Sequence, residues 1–239
     1  MVDSKGIWVM KKQLAYVVAT GLAAVVWSAG AAANLVNNGS FETLVGGQAL
    51  SGTYYEAVSP GLVSVRIDGW AVSSVSPGNS VDIVRDGTGA SNPNALDWAY
   101  AGEYAIDMAG SPGPASISQD IGAAVASQAY LLSFWTSSNG SALTGALDVL
   151  WNGVSVLGSA LVSPAQGDWA QHQFTVYGTA GLDTLKFTDL KGGNAGVLLD
   201  NVSLTAVPLP PAAILFGSVL FGFATMARKR RASEGALTA

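Results

Sequence analysis

Fourteen carboxylates lie between Asn34 and Ala206 against only Arg66, Arg85, Lys186 and Lys191, a net charge of −10 over that stretch. Such a surface repels nucleic acid and other polyanions, so no nucleic-acid partner is expected. It suits a hard divalent cation, because calcium takes six to eight oxygen ligands and needs neither Cys nor His. Paired carboxylates can also hydrolyse glycosidic bonds, but no pair in this chain is singled out by its setting. Nucleophilic catalysis finds little support. There is no cysteine and no G-x-S-x-G turn, and the single histidine, His172, alternates with Phe174 and Val176 as a packing residue would. No catalytic residue is assigned.

The aromatic residues offer a second chemistry. Sugars present C–H faces that stack on exposed rings, so a surface Trp or Tyr can act as a carbohydrate platform. Five tryptophans fall in the acidic stretch: Trp70, Trp98, Trp135, Trp151 and Trp169. Trp151 shares an alternation face with Leu147 and Val149, which places it in a core, and Trp70 in "GW" also reads as structural. Trp98 and Tyr100, in "LDWAYAG", follow the Gly/Asn/Pro-rich segment Gly87 to Asp97 and are the candidate carbohydrate-binding pair. Packing of that loop is the other reading of the same two rings.

Elements of period two must carry these residues. "YLLSFWTS" (130–137), "GALDVLWNG" (145–153), "HQFTVYG" (172–178), "TLKFTDL" (184–190) and "GVLLDNVSLTAV" (196–207) read as strands, as do "SVRIDGWAV", "SVDIVRDG" and "EYAIDMAG" earlier. Asn152-Gly153 suits a hairpin turn with positive φ. Short strands between Gly, Ser, Asn and Pro turns imply an all-β, two-sheet sandwich, with Gly87 to Asp97 as a loop over one end.

The two ends read differently. From Met10 a basic pair (Lys11, Lys12), an apolar run (Leu14 to Trp27) and a small-residue site ending at Ala33 form a secretory signal peptide, cut by signal peptidase between Ala33 and Asn34. The basic pair follows Met10 so closely that translation is expected to start there rather than at Met1. At the other end, residues 212–227 carry no charge and precede Arg228, Lys229, Arg230 and Arg231. A membrane helix held by a cytoplasmic basic cluster is expected. The organisation is then a signal peptide at 1–33, a sandwich at 34–206, a sorting segment at 207–231 and a tail at 232–239.

Val207-Pro208-Leu209-Pro210, the apolar run and the basic cluster together resemble the PEP-CTERM sorting signal of exported bacterial proteins, with Pro208-Leu209-Pro210 where that family usually has Pro-Glu-Pro. The resemblance implies an exosortase partner, a Gram-negative host, and anchoring in the inner membrane before release to the envelope or an exopolysaccharide matrix. "NLVNNGSFE", Gly69-Trp70, "GEYAIDMAGSPGPASISQDI" and "LLDNVSLT", in that order, resemble the choice-of-anchor C group. They are similar at lower resolution to galactose-binding-like jelly rolls of carbohydrate-binding modules. This implies a jelly roll whose first and last strands lie close together. It also nominates Glu42 and Asp200 as ligands of a structural calcium ion, with carbonyls near Asn38 and with Asp107 as a further candidate. The other reading is that these carboxylates accept hydrogen bonds from turn amides. Three functions are compatible with the sequence: a non-catalytic module binding exopolysaccharide, a structural or adhesive surface protein, and a small carbohydrate-active enzyme. The first is preferred.

Overall fold

A computed structural model describes residues 33–47, 50, 55–60, 66–74, 76–86, 98–122, 124–140 and 146–208. The segments 1–32, 87–97 and 209–239 lie outside them. The signal peptide, the expected loop at 87–97, Leu209, Pro210, the membrane helix and the basic cluster fall there. Among the described residues no helix is long and apolar enough to cross a membrane.

Alternation decides the strands. In order they are β1 (Tyr55–Val58), β2 (Ala71–Ser73), β3 (Val81–Arg85), β4 (Tyr104–Asp107), β5 (Ser116–Ile121), β6 (Ala129–Ser138), β7 (Ala146–Trp151), β8 (Val154–Ser155), β9 (Leu161–Val162), β10 (Ala170–Tyr177), β11 (Asp183–Asp189) and β12 (Val197–Ala206). A first sheet runs β1-β3-β4-β12-β6-β10 and a second β2-β5-β11-β7-β8, with β9 also on β7. The strand pairs are all antiparallel. The one helical element described is the 3-10 turn Val45–Gly47.

The sheets face each other across one apolar core. Leu147, Val149, Trp151, Leu185 and Phe187 come from the second sheet, and Leu132, Phe134, Leu199 and Leu204 from the first. Phe187 meets Phe134 edge-on at 5.2 Å between ring centroids and lies 6.2 Å from Trp70. The architecture is all-β with two sheets, as the alternation implies, and is consistent with the jelly roll that the resemblance implies. Asn152 (φ 53°) and Gly153 (φ 78°) make the expected tight turn into β8.

"SVRIDGWAV" departs from the single strand expected. Of its described part, Ile67 makes only an isolated bridge to Leu44, and the chain turns at Gly69 (φ 79°) before β2 begins at Ala71. Backbone bonds from Val45 N to Arg66 O and from Asp68 N to Thr43 O flank that bridge, and side-chain bonds hold the turn. The amide of Asn38 donates to the carbonyls of Thr43 and Asp68, and the indole of Trp70 donates to Asn38 O at 3.1 Å.

That corner joins the short motifs into one structure. A Cβ on Gly39 would lie 1.9 Å from the backbone oxygen of Val202, while Val202 N donates to Gly39 O at 2.8 Å. Only glycine permits that approach. Gln119 on β5 accepts from Asn37 N and donates to the carbonyls of Asn37 and Gly69. Asn34, just past the expected cleavage point, bridges to Thr205 and accepts from Leu204 N at 2.8 Å, so the two ends of the sandwich do lie side by side.

Candidate functional site

Side chains that alternate outward from the first sheet build the site. On β6, Leu132 and Phe134 enter the core, so Trp135 points to the outer face. On β4 and β12 the outward set includes Ala105 and Leu198, which form a second, smaller apolar cluster with Val84 and Ala99. Ala99 belongs to the segment preceding β4, which therefore crosses the outer face of the sheet. Trp98 and Trp169 pack on this cluster. Tyr100 sits above it, stacked on Trp135 at 3.8 Å between centroids and 14° between planes, with Trp169 edge-on at 5.9 Å. Tyr100 keeps 38 % of its surface exposed.

Two carboxylates hold that segment by its backbone. Oδ2 of Asp200 accepts the amides of Tyr100 (2.9 Å) and Ala101 (3.0 Å), and its Oδ1 accepts the amide of Asn201. Oε1 of Glu42 accepts the amides of Glu103 (2.9 Å) and Tyr104 (3.0 Å). Gly102 lies between them at φ 86°, and a Cβ there would meet the Glu42 carboxylate at 2.3 Å. Five consecutive residues are thus clasped by two acids from the first and last motifs of the sandwich.

The electrostatics of this clasp are unfavourable to a bare anion. Burial pushes the Asp200 carboxyl up to about 7, outweighing its three amide bonds, and the charge of Glu42 pushes the same way. A cation beside the pair would offset both effects. Both oxygens of Asp200 already accept backbone amides, Oδ2 two of them and Oδ1 one. Calcium takes six to eight oxygen ligands, of which the Glu42 and Asp200 carboxylates would supply only a part. Among the described residues no three acidic or histidine side chains converge to hold a metal. The Asn38 carbonyl is already engaged by Trp70 and by Phe41 N.

Asp107 stands apart from this pair, at the other end of β4. It is fully buried; Oδ1 accepts the amides of Ala109 and Gly196, and Oδ2 the amide side chain of Asn139. Burial pushes it up to about 6. His172 faces the core, with its ring 5.3 Å from Phe134 and Nε2 2.9 Å from Thr136 Oγ1, and burial lowers its pKa. Val207 is tied to the sandwich through Ala129 O and Gln128.

Of the two rings chosen from sequence, Tyr100 is the exposed one, and Trp98 packs on the Val84, Ala99, Ala105 and Leu198 cluster. Trp135 and Trp169 were not singled out. Parity alone would have found Trp135, since Tyr130, Leu132 and Phe134 occupy the inward positions of β6. Trp169 precedes β10 and carries no comparable signal.

No protein-family model matches this chain, and no curated protein does. Solved structures do. A cyclase from Fischerella sp. TAU, in complex with 4-(1H-indol-3-yl)butan-2-one, aligns over 75% of this chain and 100% of its own at 19% identity, TM-score 0.51. TmCBM61, in complex with β-1,4-galactotriose, aligns over 73% of this chain and 99% of its own at 18% identity, TM-score 0.45. The CBM22-1 xylan-binding domain of Paenibacillus barcinonensis Xyn10C covers 68% of this chain and 100% of its own at 14% identity, TM-score 0.39. At these identities the cyclase likeness speaks to the fold alone, and function must be argued from the site.

Proposed function

We propose that the sandwich is a non-catalytic carbohydrate-binding module and that Tyr100, stacked on Trp135, is its sugar platform. The observation that carries this reading is the stack itself. A ring left 38 % exposed, backed by a parallel indole and fixed through its own amide to Asp200, is rigid before any ligand arrives. Preorganised apolar surface of this kind loses little entropy on binding. Trp98 packs on the neighbouring apolar cluster and is a packing residue in this account. Glu42 and Asp200 are committed to backbone amides, which supports binding rather than hydrolysis.

In the same reading Glu42 and Asp200 would hold a structural calcium ion that keeps residues 100–104 in place, and Asp107 would take no part. The protein is exported, sorted by an exosortase through Val207-Pro208-Leu209-Pro210 and the basic cluster, and acts in the envelope or exopolysaccharide matrix of a Gram-negative bacterium. The resemblance of both termini to such signals supports this. A glycan array probed with the full-length chain and with Trp135→Ala tests the binding reading. Hits that weaken in the variant are expected. Signals identical in both proteins would place the ligand elsewhere, and a blank array would favour an adhesive surface protein.

A further inference from the structure

Resting on the carbohydrate reading above, we propose that the ligand is a neutral glycan chain of several rings, laid along β10 and β6 from Tyr100 to Tyr177. β10 is the edge strand of the first sheet. Its inward residues are His172, Phe174 and Val176, so Gln171, Gln173, Thr175 and Tyr177 all face outward, and all four are exposed. The register pairs Gln171 with Trp135 at one end and Tyr177 with Ala129 at the other. The strip therefore begins beside the Tyr100–Trp135 stack and ends at a second ring, Tyr177, which is 62 % exposed. Six residues of antiparallel strand separate the two ends, roughly 20 Å. A single sugar cannot touch both rings.

What lies between them sets the class of ligand. The outward side chains of β10 offer amides and a hydroxyl, and Gln171 already donates to Ser133 Oγ on β6 at 3.0 Å. Such groups match sugar hydroxyls as donors and acceptors. None of them is charged. Among the described residues Arg66 is paired with Glu56 and Arg85 with Glu103 at 2.7 Å, while Lys186 lies on β11 and Lys191 just beyond it, both in or next to the second sheet. Among the described residues no cation thus stands on the strip to receive a carboxylate or sulfate. The net charge of −10 between Asn34 and Ala206 would repel a polyanion as it approached. Uronic and sulfated chains are excluded on both grounds.

Titration calorimetry on the full-length chain in detergent would test this. The probes are cello-, xylo-, laminari- and β-1,4-galacto-oligosaccharides from two to six units, with oligogalacturonate as the charged counterpart. In at least one neutral series, affinity should rise with length to the hexamer, and the oligogalacturonates should not bind. Tyr177→Ala should leave the dimer unaffected and weaken the hexamer about tenfold, the equivalent of about 1.4 kcal/mol. Tyr100→Ala should weaken both. Affinity independent of length, an unchanged hexamer affinity in Tyr177→Ala, or tighter binding of oligogalacturonate would each overturn the proposal while leaving a carbohydrate module at Tyr100 intact. Failure of the unmodified protein to bind any series would remove the underlying reading as well.

Discussion

Removing the Glu42 carboxylate should unclasp one half of the segment that carries Tyr100. Its Oε1 accepts the amides of Glu103 and Tyr104 at 2.9 and 3.0 Å. In Glu42→Ala both donors lose their partner. A buried unsatisfied donor costs about 1–3 kcal/mol, and an exposed one less because water replaces the acceptor. The Tyr104 amide is partly buried and the Glu103 amide exposed, so the sum should be about 2–3 kcal/mol. Urea unfolding of the full-length chain would read this as a midpoint lowered by roughly 1 M with an unchanged slope. Hydrogen exchange should quicken at Glu103 and Tyr104 more than at Tyr100 and Ala101, which Asp200 holds. Glu42→Gln keeps an acceptor oxygen and sheds the repulsion toward Asp200, so it should cost less than half as much. A Glu42→Ala protein within about 0.5 kcal/mol of wild type, with exchange unchanged at 103 and 104, would refute the clasp.

Other outcomes follow from the same geometry. Gly39→Ala forces a Cβ against the Val202 carbonyl and should cost about 3 kcal/mol or more, visible as a large fall in Tm or as failure to fold; a neutral substitution would mean that the corner is looser than described. Asp200 holds its proton to about 7 when folded but only to an ordinary carboxyl value when unfolded, so the folded state binds the extra proton in between. Stability should therefore decline as pH rises from about 4 to 7, by up to about 4 kcal/mol from this group, and then level off. Calcium should restore Tm at pH 7.5 and do little at pH 4.5, where Asp200 is protonated; no response at either pH would remove the ion from the account. Mass spectrometry of the protein recovered from the host's envelope should show a chain beginning at Asn34 and lacking Arg228–Arg231; intact ends would contradict the sorting proposal.

Much of the sandwich is legible because one face of most strands is buried. β7, β10 and β11 alternate without interruption and are read directly from the chain. β5 is harder, since its inward set is Ile117, Gln119 and Ile121, and a buried glutamine breaks the apolar alternation. That glutamine is there to bond Asn37 and Gly69, a need visible only once the corner has formed. "SVRIDGWAV" misleads for the converse reason: its apolar spacing is sound, but Gly69 and the side chain of Asn38 turn the chain where a ladder would continue. The site divides in the same way. The resemblance of the end motifs brought Glu42 and Asp200 to attention, and they do meet on one segment. The pairing of Tyr100 with Trp135 joins positions 35 residues apart through a loop crossing, which no local pattern encodes.

The most direct measurement is the affinity of the purified protein for its best-bound neutral oligosaccharide, compared with Tyr100→Ala. Circular dichroism of both proteins would verify that the sheets are intact. The account predicts a loss of at least tenfold, about 1.4 kcal/mol, with an unaltered spectrum. Equal affinity in the two folded proteins would contradict it.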